Sequence, residues 1–505
     1  MDSPYVSLVF AVYLIALAVL GYVGYKKTKN LSDYYIGGKT LGTLSVALSG
    51  VGTAYSAWVI FSAPWVGFTY GWNAAWMFIP MISWHAVMWL FIAPRLYKVS
   101  SFYKSVTFLE LLSDRVKDNK RLIQGIGSIL VFFFMVAYTA SQFMGSGSAL
   151  VQVFGVKYIT GLLIGVAIVL GYTLFGGFYS VCYTDVMQAM VMFSFLAIVP
   201  WVLLSMVGGI SGINAAISTV DAGKLVTLTA NMPAGTFIRK NLLGVFWLTS
   251  WFAFAQPQLA VRIMAAKSKE ALRPTGLIAV VFLCILTTGA LTIGICTRAW
   301  AIQNGVSFSN GEVAMYFIIG KLFHPVMLGI LTAATLSAIM SSTDSFLLLA
   351  SSCLVRDFIE RFLGKKIDEK KQLFYCRIGT FLCMGLALWW ALKPETIHFL
   401  VVLAWCGVSA MFGGAILACL YWKRVTKEGI FYSMLTGFVV TVLWYWSPLN
   451  SYLHFQWVST PVAILVLIVV SYFTKAPLGI DEEFEAFKIT ESQTTGSIAA
   501  ASSGN

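Results

Sequence analysis

The sequence predicts an all-α polytopic membrane protein with about thirteen membrane-spanning helices. Three observations carry that reading. Of 505 residues, 59% are apolar and only 11% charged, and the mean hydropathy is +0.81. A soluble chain carries roughly 25% charged residues and could not cover its surface with so few. Apolar runs of about 20 residues, the length that crosses a hydrocarbon core, recur from end to end. Finally, the 34 Lys+Arg and 21 Asp+Glu, a formal charge of +13, fall in short bursts between those runs. Juxtamembrane loops show this pattern, whereas a nucleic-acid groove interleaves basic residues with aromatics. The composition excludes a cytosolic or secreted enzyme, a nucleic-acid binder and a disordered scaffold. The partner it implies is a lipid bilayer, and no nucleic acid.

The spans run over 5–25, 45–70, 72–94, 122–153, 158–178, 182–208, 241–264, 275–302, 326–355, 374–392, 396–422, 429–447 and 455–474. The first lacks a basic n-region and a small-residue cleavage site, so it reads as a retained helix. Loops 26–44, 95–121, 262–273, 356–377 and 423–427, with the tail, hold 27 of the basic residues against 7 on the other side. That bias puts the first set in the cytoplasm, the N-terminus outside and the C-terminus inside. The chain divides into 1–44 (first helix and inner loop), 45–208 (five helices), 209–240 (outer loop), 241–422 (five helices), 423–475 (two helices) and a disordered tail over 476–505. Seven of the eight cysteines fall within spans and none forms a CxxC pair, so they read as small buried hydrophobes.

Only Asp185 and Asp344 among the acidic residues fall inside spans. A carboxylate at bilayer depth costs about 2.5–3.5 kcal/mol and faces a cavity, an ion path or a partner. Asp185 opens a span, where the helix dipole alone would favour it. Asp344 sits mid-span in Ser341-Ser342-Thr343-Asp344-Ser345, a dense set of oxygen ligands that suits a hard alkali cation. Hydroxyls returning to their own helix carbonyls explain one or two of these residues but not the aspartate. The second span carries Ser49-Gly50-Val51-Gly52-Thr53-Ala54-Tyr55-Ser56-Ala57-Trp58, with two glycines and four hydroxyls at bilayer depth. Such a stretch either lets helices pack closely or unwinds and frees carbonyls for an ion and a solute. Gln256-Pro257 interrupts the span five places later, which suggests two five-helix units, each opening with a broken helix. His85 reads as a hydrogen-bonded core histidine.

In order and spacing, several landmarks resemble the sodium:solute symporter family, closest in layout to the sodium/proline symporters. They are Asp33-Tyr34-Tyr35-Ile36-Gly37-Gly38, Ala47-Leu48-Ser49, Gly176-Gly177-Phe178 before Tyr183-Thr184-Asp185, and Gln256-Pro257. Ala338-Ile339-Met340-Ser341-Ser342, Ala404-Trp405 with Phe412-Gly413, and Lys475-Ala476-Pro477 complete them. The resemblance implies a LeuT-type core of two inverted five-helix repeats and sodium as the coupling ion and sole metal. It implies a sodium site formed by carbonyls of Gly52, Tyr55 and Ala338 with the hydroxyls of Ser341 and Ser342. A further sodium site of some relatives maps to Asp185, Ser341, Asp344 and Ser345. The solute region maps to Ala54, Ser56, Ala57, Trp58, Tyr138, Thr249, Trp251 and Ala253. Proline symporters carry an aspartate where this chain has Ala54, and a tryptophan and a tyrosine where it has Thr249 and Ala253. Ser56-Ala57 before an aromatic is similar to monocarboxylate and pantothenate members.

The function expected is therefore sodium-coupled secondary active import of a small, carboxylate-bearing solute by alternating access, with a monomer as the functional unit at the cell membrane. A proton-coupled carrier of the same fold is the rival, because Asp185 and Asp344 could relay protons. A membrane solute sensor is a weaker alternative, since the tail has no room for a signalling domain. A membrane-embedded enzyme would need a nucleophile–base pair or metal cluster at membrane depth, and the sequence offers none.

Overall fold

The computed structural model describes residues 4–27, 41–220, 252–308, 311–392 and 397–487. Regular structure among them is helical, and the only pairing of extended chain is a bridge between Leu41 and Ala266. The first half contains α1 (Pro4–Lys27), α2 (Thr43–Ala54), α3 (Ala57–Ile60), α4 (Ser62–Tyr70), α5 (Ala75–Val87), α6 (Ala93–Tyr103), α7 (Phe108–Arg115) and α8 (Leu122–Phe154). After these come α9 (Tyr158–Met206), α10 (Gly209–Ser218), α11 (Pro257–Met264), α12 (Leu272–Gln303), α13 (Ala314–Leu322) and α14 (Pro325–Ser352). The chain closes with α15 (Glu369–Ala391), α16 (Ile397–Tyr421), α17 (Lys427–Tyr445), α18 (Gln456–Phe473) and α19 (Ile480–Ala486).

Local chemistry sets the boundaries. Thr107 caps α7 by accepting from the Glu110 amide at 3.0 Å, and Thr426 caps α17 by accepting from Gly429 at 3.1 Å. Pro257 and Pro325 stand in the first turn of α11 and α14, where a missing N–H costs nothing. Gly155 ends α8 at φ +65°, a conformation that disfavours a side chain. Burial then sorts the helices: α14 and α16 are buried nearly all round, whereas α1, α15, α17 and α18 hide only one stripe. A helix apolar all round belongs at the centre of a bundle.

Among the described residues, ten helices are long and apolar enough to cross a membrane, and α2 with α3–α4 makes an eleventh, bent by 67°. The sequence reading of about thirteen differs at two spans. The first, 158–178, has only Tyr158–Gly171 as a shorter apolar helix. It belongs to the 49-residue helical run of α9, twice the length one crossing needs. Tyr158 donates to the Ala391 carbonyl and Gln303 to the Val207 carbonyl, whereas Ser180 donates to Gly21 at the opposite end of the bundle. Both ends of the run therefore lie at one end of the bundle and its middle at the other. The second difference is 241–264: residues 241–251 lie outside the described set, and the rest is a turn over Ala253–Ala255 followed by α11. The expected tail disorder lies mostly outside the described residues, but 478–487 are ordered and include α19.

Close helix contacts depend on glycine. A Cβ on Gly294 of α12 would collide with the Pro64 carbonyl of α4, and one on Gly289 with the Leu196 carbonyl of α9. Backbone carbonyls cannot rotate away, so overpacking outweighs the better helix propensity of alanine, which is worth only about 1 kcal/mol. Gly294→Ala is expected to destabilise by about 1–3 kcal/mol, read as a lower melting midpoint of the purified protein. Gly385→Ala, with open space around it, gains helix propensity without a clash and serves as the control that should not lower the midpoint.

Candidate functional site

The site is built around the break between α2 and α3. Tyr55 (φ −101°, ψ 80°) and Ser56 (φ −71°, ψ −167°) leave helical geometry between the two segments. The amides of Ala57, Trp58 and Val59, which in a continuous helix would bond the carbonyls of Thr53, Ala54 and Tyr55, donate elsewhere. Ala57 donates to the Gln142 side chain at 2.8 Å, Trp58 to the Ser56 hydroxyl at 3.2 Å and Val59 to the Ser56 carbonyl at 3.0 Å. Three carbonyl oxygens are thereby released at mid-bundle.

Helix α14 presents its hydroxyls to this break. Ser341 Oγ donates to the Gly52 carbonyl at 2.9 Å and lies 2.8 and 3.3 Å from the carbonyls of Ser337 and Ala338. Ser342 Oγ lies 3.2 Å from the Thr53 carbonyl and 3.5 Å from that of Gly52. Thr53 Oγ1 meets Ser345 Oγ at 3.0 Å. Gly52, Ala338, Ser341 and Ser342 are thus brought together, all fully buried or nearly so. Tyr55 stands at the break itself, with its side chain directed to α12, where the hydroxyl donates to the Leu283 carbonyl at 3.0 Å and meets Thr287. The donor set is hard oxygen throughout, which fits an alkali cation and not a thiophilic metal. Among the described residues no group of three or more His, Cys, Asp or Glu is assembled.

Next to this junction lies a cluster that hydropathy did not reveal. Asp185 of α9 is fully buried, and its Oδ2 accepts from Ser49 Oγ at 2.6 Å and from Arg262 Nη2 at 3.0 Å. Arg262, on α11, also donates to Ser49 at 2.8 Å, to Ser345 at 2.6 Å and to the Gln258 carbonyl at 2.7 Å. Its guanidinium packs over the Phe178 ring at 5.6 Å. A guanidinium therefore sits between Asp185 and Ser345, two of the four residues expected to hold a further sodium. Ser341 belongs to the Gly52 junction, while Asp344 is buried mid-α14 with its charge near Tyr13 of α1 and Cys182 of α9. The sequence reading placed Arg262 in an inner loop. The signal that locates it is Gln258-x-x-x-Arg262, one face of a helix opened by Pro257.

The solute-region residues split. Ser56, Ala57, Trp58, Tyr138 and Ala253 are buried and Ala54 half-buried, whereas Thr249 and Trp251 lie outside the described residues. Tyr138 stacks on Phe346 at 4.0 Å between centroids, and its hydroxyl reaches Ser56. Trp58 packs on Phe78 at 5.7 Å, and Trp84 meets Phe252 and Phe254 edge-on at 4.8 and 5.4 Å. Gln142, one turn beyond Tyr138 on α8, escaped the sequence reading although it holds the break from the opposite side. Gln256 donates to the Trp405 carbonyl at 3.0 Å and to Ser409 at 3.1 Å, which anchors the turn before α11 to α16. His85 bonds the Met81 carbonyl at 2.8 Å and packs on Trp405, as a core histidine does.

The model of the sodium:solute symporter family matches residues 34–437, most of the chain and all of this site. The chain belongs to the sodium:solute symporter family. It is 32% identical over 483 residues to the high-affinity proline transporter PutP of Bacillus subtilis, covering 94% of this chain and all of that protein. It is 31% identical to the sodium/proline symporter 2 of Staphylococcus saprophyticus over 86% of this chain and 84% of that one. The fold is similar to that of a sodium-coupled sialic acid symporter in its substrate-bound outward-open state. The TM-score is 0.77 at 18% identity, over 94% of this chain and 99% of that one. This family member is a sodium-coupled solute symporter, a transporter and not an enzyme, and a multi-pass protein of the cell membrane.

Proposed function

We propose that the protein imports a small carboxylate-bearing solute, an amino acid such as proline or a monocarboxylate such as pantothenate, with sodium by alternating access. The observation that carries this reading is the pair of α14 hydroxyls, Ser341 and Ser342, set on carbonyls of the broken span. Sodium entering from outside would take the carbonyls of Gly52, Tyr55 and Ala338 and the two hydroxyls, replacing its water shell with five oxygens. That would pin α2 to α14 and complete the solute pocket beside Ser56, Ala57, Trp58, Tyr138 and Ala253. The coupling is the difference in sodium affinity between outward and inward states, since an ion that binds both equally shifts neither.

The architecture that goes with this mechanism is thirteen spans, two inverted five-helix repeats over 45–208 and 241–422, the N-terminus outside and the C-terminus inside. A second sodium at Asp185, Ser341, Asp344 and Ser345 would have to displace the Arg262 guanidinium from Asp185 and Ser345. In our reading that cluster belongs to the inner end of the pathway, and Arg262 takes the place of a cation there until the ion arrives. The pocket residues carry no charge, so a solute carboxylate would be met by hydroxyls and backbone amides.

A stability screen tests the proposal. A ligand of the native state raises the melting midpoint by mass action, about 2.7 kcal/mol at a hundred times its Kd. Proline, other amino acids, pantothenate and short monocarboxylates are compared in sodium and in potassium. The expected result is at least one carboxylate that stabilises in sodium alone. No shift from sodium, with or without any solute, would transfer the coupling to protons.

A further inference from the structure

The ordered tail, 478–487, is held by basic side chains at the same end of the bundle as Arg262. Lys117 donates to the Leu478 carbonyl at 2.5 Å and pairs with Glu483 at 3.1 Å, while Glu483 also accepts from the Tyr103 hydroxyl at 2.5 Å. Lys423, in the link from α16 to α17, pairs with Asp481 at 2.6 Å, and Lys98 donates to the Phe487 carbonyl at 3.3 Å. The grip is apolar as well as ionic. Ile480, Phe484 and Phe487 are buried. The Phe484 ring lies 5.3 Å from the Arg95 guanidinium and 4.9 Å from that of Arg115, within cation–π range.

What the tail grips explains why this matters. Arg95, Lys98 and Tyr103 lie on α6, Arg115 ends α7, and the two helices form an elbow that turns at Lys104 with φ +55°. Arg95 also bonds the Leu420 carbonyl, and Arg115 the Cys419 carbonyl at 2.9 Å, so the same two guanidiniums pin the elbow to the last turn of α16. The tail's phenyl ring covers both of them. On its other side, the elbow contributes Val106 to the wall of a small cleft that also touches Gln258, Arg262, Ser345 and Ser352. One face of the elbow therefore lines the cleft at the Arg262 cluster, and the other face is strapped by the tail.

We infer that residues 478–487 are a latch, holding the α6–α7 elbow against α16 and keeping the inner cleft narrow, so that opening toward the inside requires the tail to let go. The inference rests on the alternating-access reading only for the opening that the latch opposes. Two of its contacts, Lys423–Asp481 and Lys117–Glu483, involve exposed lysines and are screened by salt. The buried Phe484 contact is not, so it carries most of the grip.

The test introduces Ser352→Cys as a reporter in the cleft and measures its labelling by a charged thiol reagent in inside-out vesicles. The eight native cysteines are buried except for the half-buried Cys284, and the chain without the reporter gives the background. Adding Phe484→Ala and Phe487→Ala is expected to raise the labelling rate by roughly tenfold, the loss of one or two cation–π contacts. Glu483→Gln removes the charge that pairs with Lys117 and weakens the hydrogen bond from Tyr103 without opening a cavity, so it remains folded if the double change does not, and raises the rate less. Wild-type labelling rates in both backgrounds would overturn the latch. The readout needs neither sodium nor solute, so its failure is separate from a failure of sodium coupling.

Discussion

Arg262→Ala is expected to destabilise the protein by about 3–5 kcal/mol, the cost of breaking a buried ion pair by removing one partner. Asp185 is fully buried and Arg262 nearly so, at 2% exposure. Without the guanidinium, the carboxylate would keep only the Ser49 hydroxyl as donor, and its second oxygen, Oδ1, already accepts no hydrogen bond. Ser345 and the Gln258 carbonyl would lose a partner in the same step. Neutralising both members tells a cost of orphaned charge from a cost of lost packing. The double variant Asp185→Asn, Arg262→Gln should recover most of the stability, because two amides can still bond each other and Ser49. A double-mutant cycle on melting midpoints reads this as a coupling larger than either exposed pair on the same face could give. A single Arg262→Ala variant as stable as the parent would remove the ion pair from the account.

The second large effect concerns sodium. Ser341→Ala deletes a hydroxyl that lies within 3.3 Å of three carbonyls from two helices. Hydrogen bonds and ligand contacts to charged groups are worth about 1.5–3 kcal/mol, so half-saturation by sodium should rise roughly tenfold to a hundredfold. The order of preference among solutes should hold, because Ser341 faces the carbonyls of Gly52 and Ala338 and not the aromatic wall around Trp58 and Tyr138. Ser342→Ala should act in the same direction through the Thr53 and Gly52 carbonyls. Equal sodium half-saturation in parent and Ser341→Ala would remove that hydroxyl from the ion site.

The break in the second span was readable from sequence. Two glycines and four hydroxyls in ten residues cannot be explained by lipid contact, and the helix does part at Tyr55–Ser56. The hydroxyl-dense run Ser341–Ser345 was legible as a set of oxygen ligands, and the family resemblance singled out Ser341 and Ser342 within it, which lie against the Gly52 and Thr53 carbonyls. Arg262 was not. Hydropathy places a residue by the polarity of its neighbours, and Arg262 precedes a basic loop, so it was grouped with loop cations. Only the fold brings α11 under α9 and α14. Asp344 shows a related limit. Sequence gives its depth but not its rotation, and on α14 its charge falls near Tyr13 of α1 and Cys182 of α9. Gln142 was hidden because a buried glutamine at helical spacing from Tyr138 looks like any interhelical hydrogen bond until the amide it caps is known. Counting spans by unbroken helix length is a poor guide for the same reason: α9 stays helical through 49 residues, although its middle and its two termini contact opposite ends of the bundle.

The proposed mechanism places sodium at the junction of α2 and α14. The most direct measurement is solute uptake into proteoliposomes against external sodium at fixed pH, with the parent protein and the Ser341→Ala variant side by side. The expected result is uptake that needs sodium and saturates with it, and a Ser341→Ala curve displaced to higher sodium with the same solute preference. Uptake that is indifferent to sodium but follows a pH gradient, or two superimposable sodium curves, would contradict it.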